Sequence, residues 1–359
     1  MTSPWLGVLG AALLLVVFAD VLRTTLGYGG GFLTTRLTQL GWRGALALHR
    51  RRPAHGALAL GGVLLLVAMA LFWLGGLWLA WTLVFTSSPQ AVLDTEGMPV
   101  RFVDRLAFTG WVLVTLGVPG GLEAGSRAWE LLVPVAAGSG FVMITLAISY
   151  LLPVIAAATE ARQLALQISS LGGTAAAIAR RGWNGRDFAA LDRYFAAFTA
   201  AVTLLAERHL TYPTLHYLHA LRRESAIAPS LAALDEALLV IDAACAPETR
   251  GDATVRGVLR AAISQELSTL RAVSVTRADD QPSPPAPDLE PLRHLGTPLL
   301  PAASFDHALE RTAGRRRLLR ALVRQEGWRW DDVRAAGPLP EEEDPAAAEA
   351  LSRIRGGRR

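Results

Sequence analysis

The feature that most constrains this chain is a set of apolar runs in its first 160 residues, each long enough to cross a lipid bilayer. Residues 5–22 form the first run, 57–85 the second and 129–158 the third, where about 20 apolar residues suffice for a spanning helix. Inside hydrocarbon every backbone N–H and C=O must find a partner within the chain, so each run is predicted to be helical. Composition agrees: 52% of the 359 residues are apolar or aromatic and 18% are charged, which is more apolar than an ordinary soluble protein. The excess sits before Thr159, and the rest of the chain has the mixture of a soluble helical region.

No Arg precedes the first run and no small-residue cleavage site follows it, so it is expected to stay as an anchor, with Asp20 at its inner end. The second run carries Trp73, Trp78 and Trp81 toward one end, as interfacial anchors would lie. The third contains Pro134, Gly138, Ser139, Gly140 and Pro153, which permit bending, and Gly138, Gly140 and Pro153 are the candidate hinge. Between the second and third runs, residues 100–116 are apolar but, from Asp104 on, only about 12 residues long and so too short to cross, a length that suits a re-entrant helix.

Orientation follows from the arginines. Arg23, Arg36, Arg43, Arg50, Arg51 and Arg52 follow the first run with no acid among them, whereas residues 86–104 mix Asp94, Glu96 and Asp104 with Arg101. The positive-inside tendency makes the first loop cytoplasmic. The expectation is a multi-pass protein of the cell (inner) membrane, its N-terminus outside and its C-terminus cytoplasmic.

The remainder reads as helical over residues 160–181, 186–207, 215–224, 229–244 and 252–275, with Trp183, Asn184 and Gly185 as a turn. No alternating strand pattern and no G-x-G-x-x-G follows the third run, which argues against a nucleotide-binding sheet domain. Proline is dense from 279 to 301 and marks a linker, and a basic helical piece at 307–325 precedes an acidic, alanine-rich end. The predicted fold class is an all-α membrane protein with three transmembrane helices, a re-entrant pore helix and loop, and a cytoplasmic helical domain. Its parts are a first helix and turn (1–28), an Arg-rich loop (29–56), a pore module (57–160), a helical domain (161–278), a Pro-rich linker (279–302) and a basic helical tail (303–359).

Two strings compete as an ion filter. Thr24, Thr25, Leu26, Gly27, Tyr28, Gly29 and Gly30 nearly spell the potassium-channel string TTVGYGD. Only one apolar helix precedes them and an acid-free, Arg-rich loop follows, so using them as a filter would place six arginines outside. They are read as a glycine-rich turn at the membrane surface.

The second string lies where a filter is needed. Ala107, Phe108, Thr109, Gly110, Trp111, Val112, Leu113, Val114, Thr115, Leu116, Gly117, Val118, Pro119 and Gly120 resemble the pore helix and filter of the bacterial two-transmembrane pore-loop potassium-channel-like family, whose pattern is approximately YFSGLTLTTLGYGD. Arg127 stands where such pores often carry a basic residue, and Ile148, Ser149, Tyr150, Leu151 and Leu152 resemble the end of the family's inner helix. The resemblance is close over the pore segment and loose elsewhere. It implies a homotetramer in the bilayer that conducts monovalent cations, with Thr115, Leu116, Gly117, Val118, Pro119 and Gly120 as the filter and no cofactor beyond the permeant ion, potassium where the filter holds.

The chain departs from the family at Val118, Pro119 and Gly120, where tyrosine, glycine and an acid are expected. Carbonyls that replace an ion's water need the positive φ that glycine allows, and proline fixes φ near −65°. Carbonyls of Thr115, Leu116 and Gly117 could form an inner cation site, but potassium selectivity does not follow. A short helix here would aim the negative end of its dipole at a central cavity, with Asp104 near its positive end. Glu123 and Glu130 read either as vestibule charges, partly offset by Arg127, or as solvated loop charges. Thr145 and Ser149 are four apart and share a helix face, with Leu152 about one turn on, which suits a pore lining and constriction or close helix packing.

Other motifs are weaker. His209, His216 and His219 cluster in sequence, but the nearest acids are Glu207 and Glu224, so a metal site or pH sensor competes with simple helix packing. Arg315, Arg316, Arg317, Arg320 and Arg324, interleaved with leucines, read as a solvated face or as a surface for anionic lipid. The single cysteine, Cys245, excludes a disulfide framework. No metal site and no nucleic-acid partner is predicted, and with no G-x-S-x-G, P-loop or H-E-x-x-H the chain is not read as an enzyme. The rival to a channel is a non-conducting scaffold of the same fold, whose cytoplasmic helices sense or bind a partner.

Overall fold

The computed structural model describes residues 3–27, 29–273 and 282–334. The described chain is almost entirely helical, and it divides into two compact units. The first comprises residues 1–52, 57–158 and 210–218, and the second residues 53–56, 159–209 and 219 onward.

In the first unit, α1 (Pro4–Leu26) turns sharply into α2 (Phe32–Arg51), which leads to α3 (His55–Thr86). A short α4 (Phe102–Leu113) precedes the long α5 (Arg127–Leu171). Two two-residue strands, β1 (Leu93–Asp94) and β2 (Leu122–Glu123), pair antiparallel with Leu93 opposite Glu123 and Asp94 opposite Leu122. This pairing ties the segment before α4 to the segment after it.

The α1–α2 corner is a polar joint in an apolar setting. The Asp20 carboxylate accepts from the Leu33 N–H at 2.7 Å and from the Thr34 N–H and hydroxyl, so a side chain of α1 caps the exposed amides that begin α2. Trp73 of α3 donates its indole N–H to the Thr34 hydroxyl at 2.9 Å. Thr24, from the string that mimics a filter, accepts the Gly31 N–H at 2.8 Å, and Gly29 and Gly30 adopt φ of +88° and +77°. Tyr28 lies outside the described residues. Thr24, Thr25 and Leu26 thus end α1, and Gly29 and Gly30 lie in the bend before α2.

Residues 29–56 are not a loop, because Thr34, Thr38, Trp42 and Leu46 recur every four positions and give α2 a buried face. That face runs antiparallel along the start of α3, where a Cβ on Gly41 would strike Leu65 and one on Gly61 would touch Ala45. The tryptophans also differ from expectation. Trp73 and Trp81 are buried in the core with Val17, Val21, Met69, Phe85, Met143 and Tyr150, and only Trp78 is exposed. Trp81 donates to the Ser139 hydroxyl at 2.9 Å, so an indole N–H that would otherwise seek the interface is satisfied by α5. Residues 210–218 join this unit through a 3-10 turn, Pro213–Tyr217, in which Thr214 meets the Tyr150 hydroxyl at 2.9 Å.

The second unit is built around α8 (Ile227–Ala243), which is buried on every side from Ala228 to Ile241. Around it stand the end of α5, α6 (Ala175–Gly182), α7 (Asp192–Thr211), α9 (Ala253–Val273), α10 (Glu290–His294), α11 (Ala302–Gln325) and α12 (Asp331–Arg334). Two bidentate ion pairs fix α11 to α8, Arg315 to Asp235 at 2.6 and 2.8 Å and Arg316 to Glu236 at 2.7 and 2.9 Å.

Four boundaries depart from the sequence reading. The third apolar helix does not stop at 158 but continues to Leu171, where Gly172 and Gly173 end it. Residues 215–224 form short 3-10 turns rather than a helix, because Pro213 removes a donor and the segment has little periodic apolar face. The proline-dense segment and the basic helix are not a free linker and tail. Arg316 donates to the Pro284 and Pro285 carbonyls, Leu300 N–H bonds the Ala244 carbonyl at 2.8 Å, and α11 packs on α8. The acidic, alanine-rich end lies outside the described residues.

Candidate functional site

The segment with the strongest sequence signal, residues 102–123, is held by α3 and α5. α4 begins where Asp104 accepts the Arg101 N–H at 3.2 Å, and its buried side consists of Arg105, Phe108, Thr109, Val112 and Leu113. Phe108 is fully buried, edge-on to Phe85 of α3 with ring centroids 5.4 Å apart. Trp78 donates to the Leu106 carbonyl at 2.8 Å and lies over Gly110, which has no side chain to displace it.

Arg105 is the anchor of this arrangement. Its guanidinium donates to the carbonyls of Phe85 (3.2 Å) and Thr86 (3.3 Å), left open where α3 ends, and to those of Ser88 (3.1 Å) and Pro89 (3.1 Å) in the turn that follows. A cation there also meets the negative end of the α3 dipole. Sequence reasoning missed this residue. The available signal was an arginine inside an apolar segment, which has to find buried acceptors.

At its other end α4 closes with two bonds, Thr115 N–H to the Val112 carbonyl at 3.1 Å and Leu116 N–H to the Trp111 carbonyl at 3.0 Å. This is the left-handed helix stop usually made by glycine, yet Thr115 holds it with φ of +62°, and no other described non-glycine residue has a positive φ. Gly117 follows at φ +87°. Pro119 and Gly120 then enter a turn, with Gly121 at φ +85° and Leu122 N–H bonded to the Pro119 carbonyl at 3.2 Å, which delivers the chain to β2. The six candidate filter residues therefore divide into Thr115 to Gly117, with alternating positive φ, and Pro119 with Gly120 in a tight turn. Leu116 and Val118 are exposed side chains between them.

On α5, Thr145, Ser149 and Leu152 lie on one exposed side of the helix, and Met143, Ala147, Tyr150 and Val154 face the core. The Thr145 hydroxyl donates to the Phe141 carbonyl one turn back. The three hinge candidates have different surroundings. A Cβ on Gly140 would collide with the Leu113 carbonyl, so this glycine lets α5 approach the end of α4. Gly138 faces open space, and Pro153 is accommodated within the continuous α5.

His209, buried at the end of α7, pairs with Glu266 of α9 at 2.8 Å, His216 lies beside Tyr217, and His219 lies beside His55. Among the described residues no group of three potential metal ligands occurs. Glu326, close to the His209–Glu266 pair, accepts the Ala228 N–H, and burial pushes its carboxyl up to about 7 against the opposing pull of His209.

Four described helices are long and apolar enough to cross a membrane, namely α1, α3, α5 and the stretch Ala189–Thr211 that contains α7. The chain is a multi-pass helical membrane protein. It is similar to the uncharacterized membrane protein YdjJ of Bacillus subtilis (strain 168), 28% identical over 324 residues that cover 89% of this chain and 94% of that protein. The likeness is long enough to take in both units. No protein-family model matches the chain, and no solved structure matches it.

Proposed function

We propose that the chain is a subunit of a homotetrameric, potassium-channel-like membrane protein that conducts monovalent cations. The observation that carries this reading is α4, a helix of 12 residues between two helices long enough to span, which stops in a left-handed threonine. A short helix that enters and returns on the same side is tolerated at membrane depth only where it lines a protected or water-filled path. One copy leaves Leu116, Val118, Leu152 and the Thr145 side of α5 exposed, and four copies around an axis enclose a path that one cannot.

In this reading the carbonyls of Thr115, Leu116 and Gly117 form the cation site, and Thr145, Ser149 and Leu152 line the cavity and its inner constriction. Potassium selectivity is not part of the proposal, because Pro119 and Gly120 turn away where further sites would follow. The orientation has the N-terminus outside and the second unit, α7 included, in the cytoplasm. α7 is the weakest of the four candidate spans, since Asp192, Arg193, Glu207 and Arg208 lie at its ends and Arg208 pairs with Glu160.

The second reading, a non-conducting scaffold with a sensing cytoplasmic unit, draws on Pro119. Replacing Val118 by Tyr, Pro119 by Gly and Gly120 by Asp together separates the two. A shift of permeability toward potassium supports the filter, and unchanged permeability means that the loop does not line the path. Chemical crosslinking in mild detergent yields a ladder of four bands if the assembly is a tetramer. A ladder that stops at one or two contradicts it.

A further inference from the structure

In the second unit His55 and His219 meet head to head. Nδ1 of His55 and Nε2 of His219 are 2.9 Å apart, the ring planes lie within 8° of parallel and the centroids are 5.1 Å apart. That is the geometry of one N–H···N bond between edge-on imidazoles, in which one nitrogen carries the proton and the other is bare. Both rings lie against the indole of Trp328, His55 at 4.2 Å and 20° and His219 at 5.4 Å and 26°. Trp328 is 6% exposed and is fixed by the turn that ends α11, where Gly327 takes φ of +85° and Trp328 N–H bonds the Val323 carbonyl at 3.0 Å.

We propose that His55 and His219 form a proton-operated latch on Trp328, closed while the two imidazoles are neutral or share one added proton and opened when both become imidazolium. The first added proton is well accommodated, because an imidazolium donates more strongly to its neutral partner and the indole face attracts the cation. The second is not, since both facing nitrogens would then carry hydrogens and positive charge. The two rings must therefore titrate as a coupled pair. His55 is the first residue of α3, and opening the latch frees this residue from Trp328.

His49, Arg50, Arg51 and Arg52 precede the segment that carries His55. No other ionisable residue lies in the 53–56 segment. The chain after His219 brings Arg222, Arg223 and Glu224, and Arg223 is engaged by the Gly173 and Asp332 carbonyls. The end of α11 brings Arg324, Glu326 and Arg329, and beyond Glu326 stand the ion-paired His209 of α7 and Glu266 of α9. Glu326 is the neighbour that titrates in the same range, and it must be separated from the dyad experimentally.

The test uses the full chain in detergent with 15N-labelled histidine, its imidazole resonances followed from about pH 8 to about pH 5 and assigned with His55→Gln and His219→Gln. The latch predicts complementary tautomers at the facing nitrogens at the alkaline end. It also predicts two protonation steps separated by about one pH unit or more, which collapse to a single step when either partner is replaced. Fluorescence that is lost in Trp328→Phe should change with the second step, and the two steps should persist in Glu326→Gln. Independent single steps in the unmodified chain, or loss of the splitting in Glu326→Gln, overturn the proposal.

Discussion

The guanidinium of Arg105 donates to the carbonyl of Phe85 at 3.2 Å, so the first turn of α4 supplies the cap that α3 lacks. The same residue reaches the Thr86, Ser88 and Pro89 carbonyls, which makes one side chain responsible for the junction between a long helix and the short one beside it. Arg105→Gln keeps polarity but cannot span four acceptors, and it should lower the stability of the detergent-solubilised protein by about 2 kcal/mol or more. Arg105→Lys retains the charge without the planar fork and should recover only part of the loss. Thermal unfolding of the three proteins side by side checks the order. Equal stability for Arg105 and its Gln variant contradicts the capping role.

Thr115 is the second test. A side chain in the left-handed region costs about 1–2 kcal/mol relative to the favoured conformations, and glycine escapes that cost. Thr115→Gly should therefore stabilise the fold by about 1 kcal/mol, offset in part by the greater freedom of glycine in the unfolded chain. If the loop carbonyls coordinate the ion, the same change should alter conductance even though the fold is firmer. A destabilised variant, measured by its melting temperature, would show that the threonine side chain serves the fold.

Much of this architecture is legible in the sequence, and the exceptions have a common cause. Run length reveals α1, α3 and α5, and the short apolar segment before the third run reveals α4, because these depend on local composition alone. What composition does not reveal is pairing at a distance. Arg315 and Arg316 look like a solvated basic face until Asp235 and Glu236, 80 residues earlier, are seen to meet them. Trp73 looks interfacial until Thr34 is found to accept its N–H. His55, far from the histidine cluster in sequence, is the partner His219 takes. Within the candidate pore, residue types point to 115–120, and only the backbone reveals that Pro119 and Gly120 belong to a turn.

Glu326 gives the second unit a defined pH response. Its carboxyl is raised from an ordinary 4.5 to about 7 by burial, so the folded state favours the protonated form. The stability it contributes is fully present below about pH 4.5 and is lost as pH rises to about 7, above which folding must enclose an already ionised acid. Glu326→Gln stays neutral throughout and should flatten this part of the stability profile. Denaturant or thermal melts of both proteins between about pH 5 and pH 8 check it. A Gln variant whose stability falls as steeply over that range as the unmodified protein assigns the slope to another group.

Conduction itself is measured most directly as ion flux from liposomes containing the purified full-length protein, with potassium, sodium and chloride compared against protein-free vesicles. The proposed pore predicts cation flux above the blank, chloride flux at the blank, and little preference for potassium over sodium given the turn at Pro119. No flux of any ion, across several pH values and membrane potentials, contradicts the pore and leaves α4 as part of a scaffold.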